Sequence, residues 1–486
     1  MQLFVIQRIL GILLMVFSAS MLPPMLVSVI YNDGALLPFF YAFAVTLITG
    51  IVCWLPVKSF HRELRLRDGF LIVVMFWTVL GLFGSLPLML SEQPQMTTMD
   101  AIFESISGLT TTGATVLTGI DHLPKAIQFY RQQLQWLGGM GIIVLAVAIM
   151  PMLGIGGMQL YRAETPGPVK DSKLTPRITE TAKALWVIYL NLTIACALAY
   201  WLAGMNLFDA IAHSFSTVAI GGFSTHDASM GYFIDQPQIE IVAIFFMFLS
   251  GINFTLHFTA WRHRSIAGYF MDAEFKAYAS ILLIIGIVST AYLFYQGVFD
   301  SAKQTLITGL FQTVSIGTTT GFTTHQYHLW PGFLPVLLLF SSFVGACAGS
   351  TGGGMKVIRL VMLLKQGRRE IMRLIHPNAV IPIKLGNKPV SGRILDSVWG
   401  FFAAYVALFT LMLLALLYDG LDQVTAFSAV AACMNNLGPG LGDVGANYAN
   451  ISDFAKGVLS FAMLLGRLEI FSLLVLLTPA FWRRYT

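Results

Sequence analysis

Long apolar runs broken by short polar stretches set the pattern of this chain. The runs at 3–30 and 37–57 predict two helices with a turn at Asn32-Asp33-Gly34 between them, and Pro23-Pro24 should kink the first. Beyond them a triplet recurs four times: a long apolar run, a shorter stretch of small hydroxyl residues and glycine, and a second long run. The long runs fall near 69–90 and 128–151, 180–204 and 237–262, 273–297 and 330–366, and 390–418 and 453–481. Each is near the ~20 residues a helix needs to cross a bilayer, so about ten spans are predicted. The division is a helix pair at 1–66 and four repeats at 67–165, 166–268, 269–388 and 389–486.

The small-residue stretches align on one glycine each. Ser315 to Thr323 (SIGTTTGFT) is the fullest copy, Ser107 to Thr115 (SGLTTTGAT) a close one, Ser216 to Ser224 (STVAIGGFS) a loose one and Ala432 to Pro439 (ACMNNLGP) the weakest. Their glycines, Gly113, Gly222, Gly321 and Gly438, recur at intervals of about 100 residues, and such self-similarity organises everything else. Sixteen residues before each stand Thr97, Asn206, Thr305 and Asp422, and thirteen before stand Asp100, Asp209, Thr308 and Thr425. All are good helix N-caps, so a short helix is expected to run down to each glycine with the negative end of its dipole aimed there. Carbonyls of Thr111, Thr112 and Gly113, of Ile220, Gly221 and Gly222, of Thr319, Thr320 and Gly321, and of Asn436, Leu437 and Gly438 could then ring a cation and replace its water. The alternative is four ordinary Thr/Gly turns between membrane helices. Four copies in register favour the ring.

Composition narrows the class. Of 486 residues, 56% are hydrophobic and 11% charged, where a soluble chain carries about 25% charged residues. The expected fold is an all-α integral membrane protein, with four helix–pore loop–helix repeats in pseudo-fourfold array around one pore and an N-terminal helix pair beside them. The first segment has no small-residue cleavage site and reads as a retained helix. The four cysteines are scattered and fit neither a metal site nor a disulfide framework. Cations gather at Lys58 to Arg67, at Arg162, Lys170, Lys173 and Arg177, at Arg262 and Arg264, at Lys365, Arg368, Arg369 and Arg373, and at Arg483-Arg484. The glycine-bearing loops carry acids instead: Asp121, Asp227, Asp235 and Asp443. Positive residues stay inside, so both termini and the basic linkers are expected in the cytoplasm and all four loops outside.

The run 330–366 is too long for one span, because a helix of that length would reach roughly 55 Å at 1.5 Å per residue. In its middle lies the glycine-rich stretch 345–354. Irregular backbone at membrane depth survives only inside protein or beside a water-filled path. Gly345, Gly349, Ser350, Thr351, Gly352, Gly353 and Gly354 are therefore expected to form a flexible loop beneath the ring, the alternative being a surface linker. Gly349 to Lys356 resembles a phosphate-binding loop only superficially, since Met355 intervenes and Val357 replaces the needed hydroxyl. Arg467, in the last apolar run, either faces the ion path, or pairs with a carboxylate between helices or snorkels. Glu104, on the first short helix, reads as an acid that braces the loop from behind.

Together these motifs resemble the Trk/Ktr/HKT superfamily of potassium transporters, most closely its bacterial TrkH branch, over nearly the whole chain. The resemblance implies one pore with a filter glycine per repeat, at Gly113, Gly222, Gly321 and Gly438. It implies an intramembrane gating loop at 345–354 and a basic pore residue at Arg467. It further implies a homodimer in the bacterial inner membrane that docks a cytosolic ring of nucleotide-binding regulatory subunits of the TrkA type. In plant relatives a serine at the first glycine goes with sodium preference, so Gly113 implies potassium as the transported ion, with rubidium accepted too. The linkers 157–183 and 366–393 are expected to hold the ring. A potassium symporter coupled to protons or sodium is the alternative, but few acids or histidines lie within the spans to relay a proton. An enzyme is disfavoured because no Ser/His/Asp set or metal-ligand spacing is present, and a nucleic-acid partner is not indicated.

Overall fold

Short helices start where capping side chains place them. Thr97 accepts from Asp100 N ahead of Thr98–Leu109, Asn206 from Asp209 N ahead of Leu207–Ala219, and Asp422 from Val424 N and Thr425 N ahead of Gln423–Met434. The third differs from expectation. Its helix, Ala302–Gly317, begins a turn earlier after Ser301, and Thr305 lies inside it with its hydroxyl donating to Ser301 O at 2.9 Å. A mid-helix threonine that bonds back to a carbonyl one turn away leaves the capping role to others. The computed structural model describes residues 2–60, 66–141, 178–386 and 388–483. The expected helix beyond residue 141, the basic residues at 62 and 65, the linker at 157–177 and Arg484 lie outside these.

Each short helix is flanked by longer ones. The leading helices are Leu66–Gly84, Ile178–Leu202, Ala273–Tyr295 and Gly392–Tyr418. Each packs on the short helix of its own repeat. The following helices begin at Lys125–Trp136, Pro237–Ser250, Leu334–Val344 and Asp453–Arg467. Each packs on the short helix of the next repeat, and the last packs on the first. The repeats therefore close into a cycle in chain order. Leading helices turn apolar side chains such as Leu202, Leu283 and Leu411 outward, as lipid contact requires. The chain is a multi-pass membrane protein lodged in the bilayer, with six helices among the described residues long and apolar enough to cross it and two bent pairs that also qualify.

The N-terminal pair, Leu3–Tyr31 and Leu36–Val57, sits against repeat one. Pro23 and Pro24 fall in the first turn of the segment Leu22–Tyr31, after a short tight turn at Ala19–Met21. Gly11 and Gly50 let the two backbones touch, since a Cβ on Gly11 would lie 2.8 Å from Gly50 O. Asp33 accepts from Ala126 N at 2.7 Å and ties the turn of the pair to the following helix of repeat one.

Among the described residues three following helices are broken, where only one break was expected. Repeat two bends by 93° between Pro237–Ser250 and Phe254–His263, and Asn253 caps the new start through Thr255 N. Repeat four bends by 116° between Asp453–Arg467 and Phe471–Leu477, with Glu469 and Ile470 both left-handed at φ 51° and 60°. The expected straight helices at 237–262 and 453–481 are thus corrected. Repeat three breaks as expected, but from Gly345 to Lys356, and its second part runs through Val357–Ile375, beyond residue 366. A two-stranded hairpin, Lys384–Leu385 with Lys388–Pro389, is the one sheet among the described residues.

Candidate functional site

The four glycine loops repeat one backbone conformation. Thr111, Ile220, Thr319 and Asn436, each two residues before its glycine, are left-handed at φ 57°, 54°, 71° and 54°. Gly113, Gly222, Gly321 and Gly438 follow at φ 80°, 80°, 86° and 95°. Between them the amides of Thr112, Gly221, Thr320 and Leu437 reach back to the carbonyls of Ser107, Ser216, Ser315 and Ala432 at 2.8–2.9 Å. This is a helix C-cap that satisfies the last carbonyls and turns the chain sharply. A left-handed threonine, isoleucine or asparagine is uncommon, and it persists four times because the surroundings enforce it.

The loops then meet edge to edge. A Cβ on Gly113 would stand 2.0 Å from Gly221 O, on Gly222 2.1 Å from Thr320 O, on Gly321 2.0 Å from Leu437 O, and on Gly438 2.8 Å from Thr112 O. Each glycine thus abuts the carbonyl preceding the glycine of the next loop, and the fourth abuts the first. Only glycine leaves room for that approach. All four glycines line one cavity of about 280 Å³ on the loop side. Among the described residues no group of three or more His, Cys, Asp or Glu is placed to hold a metal ion. A cation entering this ring would meet backbone carbonyls and threonine hydroxyls.

Each loop is held from behind by different side chains. Glu104, itself buried, accepts from Arg131 Nε at 2.8 Å, from the Thr115 hydroxyl at 2.9 Å and from Val116 N at 2.9 Å. Gln135 clamps the second loop. In the third loop the Ser315 hydroxyl donates to Phe322 O at 2.6 Å. In the fourth, Tyr448 donates to Gly438 O at 2.7 Å and Tyr327 to Gly440 O at 3.0 Å. Asn436 bridges loops by donating to the Thr112 hydroxyl at 2.9 Å.

The stretch 345–354 lies directly under this ring. Gly353 N donates to the Thr319 hydroxyl at 2.7 Å and Gly354 N to Asn435 O at 3.0 Å. The Thr351 hydroxyl donates to Val218 O at 2.9 Å, and a Cβ on Gly353 would sit 2.0 Å from Asn435 O. Arg467 completes the contact. Its guanidinium donates to Gly138 O, to Gly139 O at 2.7 Å, to Thr351 O at 3.2 Å and to the Thr111 hydroxyl at 3.4 Å. The structure therefore joins Arg467, the glycine-rich stretch and all four ring loops. Ser350 is turned away and donates to Cys347 O at 2.6 Å.

The pattern of the sequence missed several neighbours. Glu274 accepts from Ala348 N at 2.7 Å and Ile358 N at 3.1 Å, so one carboxylate staples both ends of the stretch. Lys356, left-handed at φ 76°, donates to Gly352 O, and Arg359 pairs with Glu469 at 2.5 Å. An acid at the start of an apolar run and cations just past a glycine run were the available signals.

On the loop side of the ring His226 bridges Asp121 at 2.5 Å and Asp209 at 3.1 Å. Burial works against its charged form, but hydrogen bonds and charge from both aspartates outweigh that and hold His226 above the ordinary histidine value of 6.5. Burial likewise opposes the Asp121 carboxylate, yet the His226 bond and the Asp227 backbone hold it below 3.8. This brace ties repeat one to repeat two.

Fold and site define a membrane protein of four pseudo-repeats closed around one ring of backbone carbonyls, with a loop and an arginine beneath. Comparison with known proteins gives the family. The TrkH family profile, described as cation transport protein, matches residues 37–484. The chain is 59% identical over 485 residues to the Trk system potassium uptake protein TrkH of Vibrio parahaemolyticus, covering 99% of this chain and 100% of that one. It is 56% identical over 478 residues to the protein of that name from Escherichia coli K12, covering 98% and 99%. The crystal structure of the potassium transporter TrkH from Vibrio parahaemolyticus superimposes with a TM-score of 0.91 at 56% identity, over 99% of this chain and 100% of that one. The chain belongs to the TrkH family of cation transport proteins, a family of transporters and not of enzymes.

Proposed function

We propose that this chain takes up potassium across the bacterial inner membrane through a gated, channel-like pore, with both termini cytoplasmic. The carrying observation is the closed ring of four glycine loops, each abutting the next loop's carbonyl. Such a ring supplies the oxygens that replace an ion's water. The relatives' names supply the ion as potassium. Thr111 to Gly113, Ile220 to Gly222, Thr319 to Gly321 and Asn436 to Gly438 are the filter in this reading. The stretch 345–354 with Arg467 is the gate in this reading, supported by its contacts with the ring loops. A coupled symporter would need a free titratable relay along the path, whereas Glu104 is engaged by Arg131 and Glu469 by Arg359. Rubidium uptake into proteoliposomes holding the purified chain tests this: potassium should compete and sodium should not, and equal competition by both would defeat it.

Regulation belongs to the same reading. The helix Val357–Ile375 leads straight from the gate and carries exposed Lys365, Arg368 and Arg373. It and the segment to 393 are proposed to dock a cytosolic nucleotide-binding ring of the TrkA type on a homodimer. Neutralising Arg368 and Arg369 together should weaken ring capture in a pull-down, and undiminished capture would move the docking surface elsewhere.

A further inference from the structure

We propose that Gln135 is a selectivity-determining positioning residue that holds one quadrant of the ring open against the smaller ion. The inference rests on the filter reading above. Gln135 is fully buried on the following helix of repeat one, behind the loop of repeat two. Its Nε2 donates to Gly221 O at 2.7 Å, and its Oε1 accepts from Phe223 N at 3.0 Å. The orientation of the amide is forced, because a carbonyl only accepts and a backbone N–H only donates. One side chain thus spans the residues on either side of Gly222.

Gly221 O is the carbonyl that Gly113 abuts, in the level made by Thr112, Gly221, Thr320 and Leu437. Among the described residues, the carbonyls of Thr112, Thr320 and Leu437 accept no hydrogen bond, and that of Gly221 alone is tethered. The second loop also lacks the threonines of the first and third. At the matching positions Ala219 and Gly221 carry no hydroxyl, whereas Thr318 and Thr320 bond each other at 2.8 Å and Thr110 and Thr112 do the same. The space behind Gly221 belongs to Gln135, since a Cβ there would lie 2.3 Å from its Cδ. Gln135 therefore replaces, from another helix, the internal bracing that this loop has lost. Sodium is smaller than potassium, and coordinating it requires the carbonyls to close in. A tether pulling Gly221 O outward opposes that closure while leaving the wider potassium geometry undisturbed.

The test uses the full chain in proteoliposomes, with sodium and rubidium uptake measured side by side. Gln135→Met removes the tether at similar length and without charge. Gln135→Leu is the second variant, should the first not fold. In whichever is recovered, the sodium-to-rubidium uptake ratio should rise roughly three- to tenfold, the equivalent of one hydrogen bond, while rubidium uptake persists. A wild-type ratio, even with lower uptake of both ions, would mean that Gln135 only fills space and would overturn the proposal. Gly113→Ser is measured alongside. If it changes the ratio and the Gln135 variants do not, the proposal fails and the filter reading stands. If none changes the ratio, both fail.

Discussion

The ring loops and the loop beneath them are both glycine-rich turns, yet they are held in different ways. The ring is held by repetition: four identical backbone turns, each blocking the next, each backed by buried side chains of its own repeat or the adjacent one. No loop can shift without displacing its neighbour. The stretch 345–354 occurs once. It is held by hydrogen bonds to side chains of separate elements: the Thr319 hydroxyl of the ring, the Glu274 carboxylate and the Arg467 guanidinium. A repeated, mutually blocked structure suits a fixed function. A single loop hung on separable contacts suits a moving one, because two states of similar energy need only a few exchangeable bonds between them.

The hardest test of that contrast is to add one carbon to the ring. Gly222→Ala puts a Cβ 2.1 Å from Thr320 O at a φ of 80°, while Gly119, also left-handed at φ 71°, has nothing within 4 Å. Strain plus overpacking at Gly222 should cost roughly 2–4 kcal/mol, enough to lower rubidium uptake more than about tenfold at ~1.4 kcal/mol per decade. Gly119→Ala should lose only the backbone term, about 1 kcal/mol, in thermal stability and leave uptake near wild type. Equal effects of the two changes would mean that ring closure is not what the glycines are for.

The loop should respond in the opposite sense. Arg467→Ala removes donors from Gly138 O, Gly139 O and Thr351 O, each charge-assisted bond being worth roughly 1.5–3 kcal/mol before rearrangement. Partner-free rubidium uptake should rise about tenfold, and removal of residues within 349–354 should do the same. Unchanged uptake in both would make the stretch a passive linker. Glu469→Gln, which weakens the partly buried pair with Arg359, should give a smaller rise, no more than about fivefold.

The His226 brace gives the smallest effect and sharpens the boundary between repeats one and two. A raised His226 value means that its contribution to stability is complete below the ordinary 6.5 and fades as pH climbs through the folded value. A lowered Asp121 value contributes above 3.8 and is lost only in stronger acid. Thermal stability in detergent should therefore fall slightly on going from about pH 6 to about pH 8, and His226→Gln should abolish that slope. A slope that survives the substitution would assign it to other groups.

Much of this architecture was legible because repetition multiplies weak signals. One Thr-Thr-Gly turn means little, but Gly113, Gly222, Gly321 and Gly438 in register, with Thr97, Asn206 and Asp422 at one offset, located the ring and three of its helix starts. Two breaks were not legible: a single glycine, Gly251 in repeat two and Gly466 in repeat four, does not by itself stop an apolar helix. The last helix turns at Leu468-Glu469-Ile470, where a β-branched residue takes a left-handed conformation that its own preferences oppose. That bend is imposed by tertiary contacts, as Arg467 reaches the ring and Glu469 reaches Arg359. The clamps were hidden for a related reason. Gln135 acts across repeats and Glu274 across the length of its own, and nothing in their local sequence marks the carbonyl or amide they hold.

Bi-ionic reversal potentials in planar bilayers test most directly whether the ring selects potassium. With potassium on one side and sodium on the other, current through the wild-type chain should reverse near the potassium potential. In Gly113→Ser, whose added Cβ would press on Gly221 O, reversal should move toward the sodium potential. The same reversal potential in both proteins, or a wild-type reversal near the sodium potential, would contradict selection by the ring.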